Sequence, residues 1–253
     1  MIFVGTSGYS FDDWLGRFYP PGIPRGQMLN YYVQRFPAVE INSTYYRLPH
    51  PKVMWQLERK TPPQFRFLVK FHGDVTHRQI RDRAAFDAFA RVIAPFEDAG
   101  KFHGALAQFP YAFRDTPENR DYLRFLRDSF GARPFFVEFR HDSWAREESV
   151  DLLRRLEAGF CAVDEPALPG LFPPWLRASG PVGYVRLHGR NAREWWRGSE
   201  RYNYLYTEEE LQEWAGRIRE LEAQTRDTFV FFNNCHAGQA AENAQRMTEI
   251  LGL

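Results

Sequence analysis

Cysteines are scarce in this sequence of 253 residues. Cys161 and Cys235 are the only two, and neither belongs to a CxxC motif. Two distant thiols are too few for a disulfide framework or a structural zinc site, so we expect both to be reduced. An excess of one charge is also missing, since 33 Lys and Arg face 32 Asp and Glu. No global field therefore attracts the chain to nucleic acid or membranes, and any basic patch must be local.

Long apolar stretches are absent as well. No run approaches the roughly 18 residues that a membrane span needs, and no signal-like segment precedes the apolar run that begins at Ile2. We therefore expect a cytoplasmic protein with no membrane partner. The metal-binding spacings HxH and HExxH are also absent, and no other motif identifies a cofactor.

Aromatic side chains, by contrast, are abundant: 23 Phe, 12 Tyr and 7 Trp. With 44% hydrophobic and 26% charged residues, the composition is typical of a folded globular protein and argues against disorder. The length exceeds the common domain size but is routine for α/β barrels that form one domain. Because no linker or change in composition divides the chain, we predict a single domain, residues 1–253.

Eight short apolar runs are spaced along the whole chain and predict strands. They lie at 2–6, 39–42, 65–71, 104–109, 135–139, 160–164, 183–187 and 228–232. Helical spacing separates most of them, and Thr116 and Thr207 supply capping hydroxyls ahead of acidic residues. Eight such units predict a (β/α)8 TIM barrel with its site at the C-terminal ends of the strands. The connection after Asp164 is rich in proline, so we predict only a short helical turn around Trp175.

Polar residues end most of these runs, where strands buried on both faces should stay apolar. They are Thr6, Glu40, Asn42, Lys70, Gln108, Glu138, Arg140, Asp164, Arg186, His188 and Asn233. The alternation of Glu40 with Asn42, and of Arg186 with His188, predicts that they point into the lumen near the mouth. An ion-pair plug is the structural alternative, but burying such pairs costs several kcal/mol per ion, so we favour a functional pocket.

The chemistry of these residues suggests roles. We predict Glu138 and Glu40 as an acid/base pair, His188 as a proton shuttle, and Asp164 as a third carboxylate of the catalytic group. The predicted ligand-binding residues are Arg186, Arg140, Lys70, Arg190, Arg47, Asn42, Tyr46, Gln108, Asn233, Asn234 and Thr6. On this prediction, Glu138→Gln abolishes activity and leaves melting nearly unchanged.

Two loops strengthen the prediction of a site. The seventh loop interleaves Trp195, Trp196 and tyrosines with arginines, as either a lid or a platform for sugars and bases. The eighth loop, 233–238, leads directly into a helix and predicts either an anion site with Arg190 as a second contact or an ordinary helix cap.

Several longer motifs resemble those of one family. They are GTSGYSFDDW at 5–14, VEINSTYYRLP at 39–49, EFRHDSW at 138–144, YVRLHGR at 184–190 and FNN at 232–234. They are similar to the YecE-like family, domain of unknown function 72, over the whole chain. The resemblance implies a (β/α)8 barrel and implies no particular reaction. The family usually has Trp where this chain has Tyr9, and often Asp where it has Cys235.

Three classes of function remain open from the sequence. The first, which we favour, is a hydrolase-type enzyme that uses carboxylates and arginines on a polar, anionic, carbohydrate-like or nucleotide-like substrate. The second is a metal-assisted phosphodiesterase or nuclease, with ligands drawn from Glu40, Glu138, Asp164, His141, His188 and His236. The third is a non-catalytic binder of a phosphorylated ligand or of single-stranded nucleic acid.

Overall fold

The eight predicted runs are the eight strands of a closed parallel barrel in the computed structural model, which describes residues 1–253. The strands are β1 (Ile2–Ser7), β2 (Ala38–Ile41), β3 (Arg66–Lys70), β4 (Phe102–Gln108), β5 (Phe135–Glu138), β6 (Gly159–Asp164), β7 (Val182–Leu187) and β8 (Asp227–Phe232). Each strand pairs with the next in sequence, and β8 closes on β1. The predicted TIM-barrel architecture is therefore confirmed.

Helices surround this barrel. They are α1 (Met28–Tyr32), α2 (Pro51–Arg59), α3 (Gly73–Thr76), α4 (Arg83–Asp98), α5 (Pro117–Phe130), α6 (Glu147–Arg155), α7 (Glu208–Glu222) and α8 (Gln239–Leu251). The predicted capping residues begin α5 and α7: Thr116 accepts from the Asn119 amide, and Thr207 forms a reciprocal capping box with Glu210. No helix in the chain is both long and apolar enough to cross a membrane.

The connection between β6 and β7 contains no helix, so the predicted helical turn around Trp175 is wrong. Pro173 and Pro174 directly precede this residue, and each lacks the amide hydrogen that a helical turn would use. Trp175 instead packs its ring 6.0 Å from Phe160 and 6.4 Å from Phe172. The connection therefore covers the outer face of β6 with aromatic side chains rather than with a helix.

Aromatic side chains fill the amino-terminal half of the lumen. Its apolar cluster comprises Phe3, Ala38, Leu68, Leu106, Phe136, Cys161, Tyr184, Phe229 and Phe231. Phe136 fits because its neighbours on adjacent strands are glycines: a Cβ would lie 2.5 Å from its ring at Gly104 and 2.1 Å at Gly159. This packing closes one end of the barrel, so the lumen is accessible only from the carboxyl ends of the strands.

Candidate functional site

A charged layer lies directly above this aromatic packing, because strand residues two positions further along point to the same side. It consists of Glu40, Glu138, Arg140, Glu165 and Arg186. Arg186 is at its centre: Nε and Nη2 donate to the two oxygens of Glu40 at 2.9 and 2.7 Å, and Nη1 donates to Oε2 of Glu138 at 2.6 Å. All three side chains are at most 1% exposed. The prediction that Glu40, Glu138 and Arg186 converge is therefore correct in placement.

Arg140 extends the layer to one side. Its Nε donates to Oε1 of Glu138 at 2.5 Å, and its Nη1 donates to Oε2 of Glu165 at 2.8 Å. The other oxygen of Glu165 accepts from the backbone amide of Phe172 at 3.1 Å. Both arginines thus neutralise carboxylates of the protein, which leaves little of their charge for a ligand.

The protonation states in the charged layer follow from this pairing. Burial opposes the ionisation of Glu138, but Arg140 and Arg186 outweigh it and hold the pKa of its carboxyl well below the ordinary value. Burial also raises the pKa of Glu165 to about 7, although Arg140 partly opposes the shift. Glu138 is consequently a permanent anion near neutral pH, and it is Glu165 whose charge changes there.

His188 lies next to Arg140 and is sealed from solvent. Its Nδ1 is 2.9 Å from the Asn233 amide nitrogen, and its Nε2 is 3.0 Å from Nη2 of Arg140. Burial and then the charge of Arg140 hold the pKa of His188 well below the ordinary value. The imidazole is therefore neutral, and no part of it lines the mouth of the barrel.

A cavity of about 400 Å³, the mouth cavity, opens above the charged layer. Its deep polar lining comes from Ser7, Asn42, Lys70, Gln108, Arg140 and Asn233, and Arg186 contributes to it from below. Neither an aspartate nor a glutamate lines it. The mouth cavity is therefore polar, cationic in character and free of carboxylates.

Lys70 differs from the two arginines because no carboxylate pairs with it. Its Nζ donates to Oε1 of Gln108 at 2.8 Å and lies 4.5 Å from the centre of the Tyr45 ring. Gln108 is fixed in this orientation because its own amide nitrogen donates to the carbonyl of Phe109 at 2.7 Å. Burial and then the charge of Arg186 lower the pKa of Lys70 to about 7. Lys70 is thus the titratable amine of the mouth cavity.

The seventh loop forms one wall of the mouth. Trp195 is 3% exposed and lies against Arg140, whose guanidinium carbon is 5.9 Å from the ring centre. Trp196 is 62% exposed and packs edge-on against Tyr111. A side cavity of about 160 Å³ lies beneath both tryptophans and shares Gln108 and Arg140 with the mouth cavity. Trp195 is therefore packed against the barrel, as the predicted lid would be, whereas Trp196 exposes its ring to solvent, as the predicted platform would.

Asp164 does not join the inward carboxylates. Its oxygens accept from Nε of Arg190 at 2.9 and 3.1 Å, and Arg190 also donates to Glu210 of α7 at 3.1 Å. Asp164 is therefore apart from Glu40 and Glu138, with which it was predicted to form a catalytic group, because β6 directs its alternate residue Cys161 inward. Arg190 is held by this outer pair and does not line the mouth cavity.

Three other predicted ligand contacts also lie elsewhere. Thr6 faces the helices, and its hydroxyl is 2.9 Å from the Tyr32 hydroxyl. Asn234 is fully buried and donates to the carbonyl of Tyr204 at 2.8 Å. Arg47 is exposed and outside the cavity lining, whereas its predicted neighbour Tyr46 lines the rim. Thr6 and Asn234 thus hold the barrel to its helices and loops.

The predicted anion site at the start of the last helix is already occupied by the protein. The backbone amide of Ala237 donates to Oδ2 of Asp13 at 2.6 Å. This carboxylate comes from the loop after β1, so the eighth loop is fixed by an internal contact. The alternative prediction of an ordinary helix cap is not met either, because no side chain hydrogen-bonds the N-cap of α8 at Gly238.

One residue of the charged layer escaped prediction. Glu165 directly follows β6 and precedes Pro166, where it reads as part of a loop. Glu165 lies four residues after Cys161 and so has the same strand parity. Had Cys161 been recognised as inward-facing, this parity would have predicted that Glu165 also points into the lumen. The residues proposed as metal ligands do not form a site, since no group of three or more His, Cys, Asp or Glu is arranged to hold an ion.

Comparison with known proteins places these features in a family. Residues 3–253 match the family described as "Protein of unknown function DUF72". The chain is 32% identical to UPF0759 protein YunF of Bacillus subtilis, over all of this chain and 95% of that protein. It is 33% identical to UPF0759 protein YecE of Escherichia coli K12 over 61% of this chain and 54% of that one. A crystal structure of a DUF72 family protein from Thermotoga maritima superposes with a TM-score of 0.94 at 42% identity, covering both chains completely. The predicted resemblance is confirmed.

Proposed function

The chain belongs to the DUF72 family of proteins of unknown function, and we propose that it is an enzyme whose small anionic substrate contacts Lys70 in the mouth cavity. One observation carries this proposal: no carboxylate lines the cavity, and Lys70, which does line it, has no carboxylate partner within the protein. An anion placed there meets no repulsion at contact distance, and it gains the partner that Lys70 lacks within the protein.

The size of the cavity limits the substrate. A volume of about 400 Å³ falls in the range of pockets that enclose a small organic molecule. The neutral polar groups of Ser7, Asn42 and Asn233 line the same cavity as Lys70, and they suit hydroxyl or carbonyl groups on the substrate. Asn42 in addition carries a buried amide oxygen without a hydrogen-bond partner. A polar molecule with one carboxylate or phosphate group fits this lining best.

The proposal changes the roles that the sequence suggested for two carboxylates. Glu40 and Glu138 are locked in ion pairs with Arg186 beneath the cavity, so neither reaches a substrate there. Their proposed role is to hold Arg186 and Arg140 in place, which in turn sets the electrostatic environment of Lys70. The proton-transfer role passes to Lys70, whose pKa of about 7 suits acid/base work at neutral pH.

A nucleotide or single-stranded nucleic acid remains the alternative ligand. Two exposed rings favour it because bases stack on such side chains: Tyr46, 81% exposed, lines the mouth cavity, and Trp196, 62% exposed, lines the side cavity. Steeply salt-dependent binding of an oligonucleotide without turnover would support this alternative. Binding of glycolate or phosphate without binding of the oligonucleotide supports the enzyme proposal.

Titration calorimetry with glycolate and inorganic phosphate tests the proposal. We expect saturable binding to the natural protein and at least about tenfold weaker binding to Lys70→Met, since one charge-assisted contact is worth roughly 1.5–3 kcal/mol. Lys52→Met is the matched control, because Lys52 is exposed on α2 and outside the cavity. Absence of binding of either anion, or equal weakening by both substitutions, would refute the proposal.

A further inference from the structure

We infer that Lys70 acts as a nucleophile, and that the substrate carries an aldehyde or ketone carbon which this amine captures as an imine. The inference rests on the proposed function, because the anionic group of the substrate is what brings the carbonyl carbon to Lys70. It adds a substrate class, small anionic carbonyl compounds, and a covalent intermediate.

The basic residue at position 70 is a lysine in a chain that otherwise uses arginine almost throughout. The chain contains 29 arginines and only four lysines, Lys52, Lys60, Lys70 and Lys101. If this part of the cavity served only to hold an anion, arginine would do so with two parallel hydrogen bonds. Arginine, however, never gives up its proton in a protein, whereas lysine does. A lysine at this position therefore points to chemistry that needs a free amine.

The other three lysines show what an ordinary lysine does in this chain. Lys101 is buried, and its Nζ is 2.9 Å from Oε1 of Glu58 and 2.9 Å from the Thr61 carbonyl. Lys52 and Lys60 are exposed on or beside α2. Only Lys70 is both withdrawn from the surface and without a carboxylate partner. It is the lysine whose ammonium form the protein stabilises least.

The surroundings of Lys70 favour the free amine. Two guanidiniums, Arg186 from β7 and Arg140 after β5, act against its positive charge, and Glu138 and Glu40 act for it from greater depth. Two uncharged groups also face it, the ring of Tyr45 and the imidazole of His77. The imidazole is neutral because burial, and then the charge of Lys70, lower the pKa of His77 to about 4. Because the pKa is about 7, a substantial fraction of the Lys70 side chains are free amines at neutral pH, against fewer than about one in a thousand for an ordinary lysine. Burial beside cations is a recognised way to activate an imine-forming lysine.

The position of the amine also suits attack. Gln108 accepts one hydrogen bond from Nζ and is itself fixed by the Phe109 carbonyl, so the amine is held while it faces the mouth cavity. The backbone of Lys70 is anchored because its carbonyl accepts from the Thr44 hydroxyl at 2.6 Å. Nucleophiles held by packed strand ends keep their geometry better than those on loops.

The proposed step conserves atoms and electrons. The lone pair of the Lys70 amine attacks the carbonyl carbon, a C–N bond forms, and the carbonyl π electrons move to oxygen. The resulting carbinolamine breaks its C–O bond and releases water, which takes both hydrogens of the original amine. The product is an imine, which gains one proton from water to become an electron-withdrawing iminium. No oxidant or reductant takes part.

Reductive trapping tests the inference on the natural protein. Glyoxylate and glycolaldehyde phosphate supply an aldehyde beside a carboxylate and beside a phosphate, and cyanoborohydride reduces any imine to a stable amine. Peptide mapping by mass spectrometry then locates the label. We expect Lys70 to react at least about tenfold faster than Lys52 at pH 7. At saturating aldehyde we expect its rate to rise from pH 6 to pH 8 as more amine becomes free. The faster of the two aldehydes identifies which anion the cavity prefers.

Controls separate the covalent step from binding. Acetaldehyde has the carbonyl without the anion and should label Lys70 at least about tenfold more slowly than the anionic aldehydes do. Labelling as fast as with the anionic aldehydes would overturn the substrate class. Lys70→Arg keeps a cation without a reactive amine, so it should lose the label and still bind glycolate. If the natural protein binds glycolate or phosphate but Lys70 is labelled no faster than Lys52, the imine is refuted and the proposed function stands. If it neither binds these anions nor labels Lys70 faster, both are refuted.

Discussion

The charged layer and the Lys70 side of the mouth cavity are adjacent and use similar residues, yet they differ in how their charges are paired. In the charged layer every guanidinium faces a carboxylate, as in the 2.6 Å contact of Arg186 with Glu138. Lys70, one step closer to solvent, has only the neutral oxygen of Gln108. Glu138, paired with two guanidiniums, is fixed in its ionised state, whereas Lys70, without a carboxylate partner, stays free to titrate and to bind. The difference suggests that structure depends on the first region and chemistry on the second.

Removing a charge from the charged layer should have the largest effect. We expect Glu138→Gln to lower the free energy of unfolding by about 3–5 kcal/mol, because it leaves Arg186 and Arg140 buried with an incomplete partner. This reverses the expectation from the sequence that melting stays unchanged. Urea unfolding followed by circular dichroism measures it, with exposed Glu220→Gln on α7 as the matched control. Equal stability of the two variants would show that the charged layer is not structural.

Removing the unpaired charge should have the opposite effect on stability. We expect Lys70→Met to weaken glycolate binding and yet to raise the melting temperature by about 2–4 °C, the shift that roughly 1 kcal/mol gives in a chain of this size. The sign follows from linkage, because the folded-state pKa of about 7 lies below the unfolded value. The buried ammonium of Lys70 therefore lowers the free energy of unfolding by its full amount below pH 7, and this loss fades as pH rises toward 10. Scanning calorimetry at pH 6 and pH 10 should show the gain only at pH 6. A loss of stability at pH 6 would mean that Lys70 is part of the supporting structure.

The two regions should also respond differently to pH. Because anion binding favours the ammonium form, affinity for glycolate should be greatest below pH 7 and should fall by up to about tenfold per pH unit above it. Burial opposes the ionisation of Glu138, but Arg140 and Arg186 hold its pKa low, so its ion pairs with both arginines persist over this range. Within the charged layer only Glu165, whose pKa burial raises to about 7, changes charge there. Calorimetric titrations from pH 6 to pH 9 measure the trend. An affinity independent of pH would assign anion binding to the arginines instead.

The smallest effect should come from a basic residue in neither region. Arg47 is exposed and does not line the cavity. We expect Arg47→Ala to change both the free energy of unfolding and the free energy of glycolate binding by less than about 0.5 kcal/mol. A larger loss of binding would extend the site outward along the rim beside Tyr46.

The alternation of strand residues predicted much of the candidate site. Glu40, Glu138 and Arg186 each follow an apolar residue of the same parity, so their convergence above the aromatic packing could be derived before any coordinates. The same rule failed at Asp164, because β6 is apolar on both faces and its inward parity cannot be distinguished. The alternation rule also missed Glu165, because the adjacent Pro166 made this residue read as part of a loop.

The sequence by itself determined the eight strands, their order in a closed barrel and the depth at which charge first enters the lumen, because these depend on local periodicity and on two-residue alternation. Only the tertiary structure decided which charges are neutralised. Pairing joins residues far apart in the chain, as Glu40 and Arg186 are, and it depends on distances of a few tenths of an ångström that no local pattern encodes. That is why Arg186, which reads from the sequence as an anion clamp, is bound to carboxylates of the protein, and why Lys70 is the cation without a carboxylate partner at the mouth of the barrel.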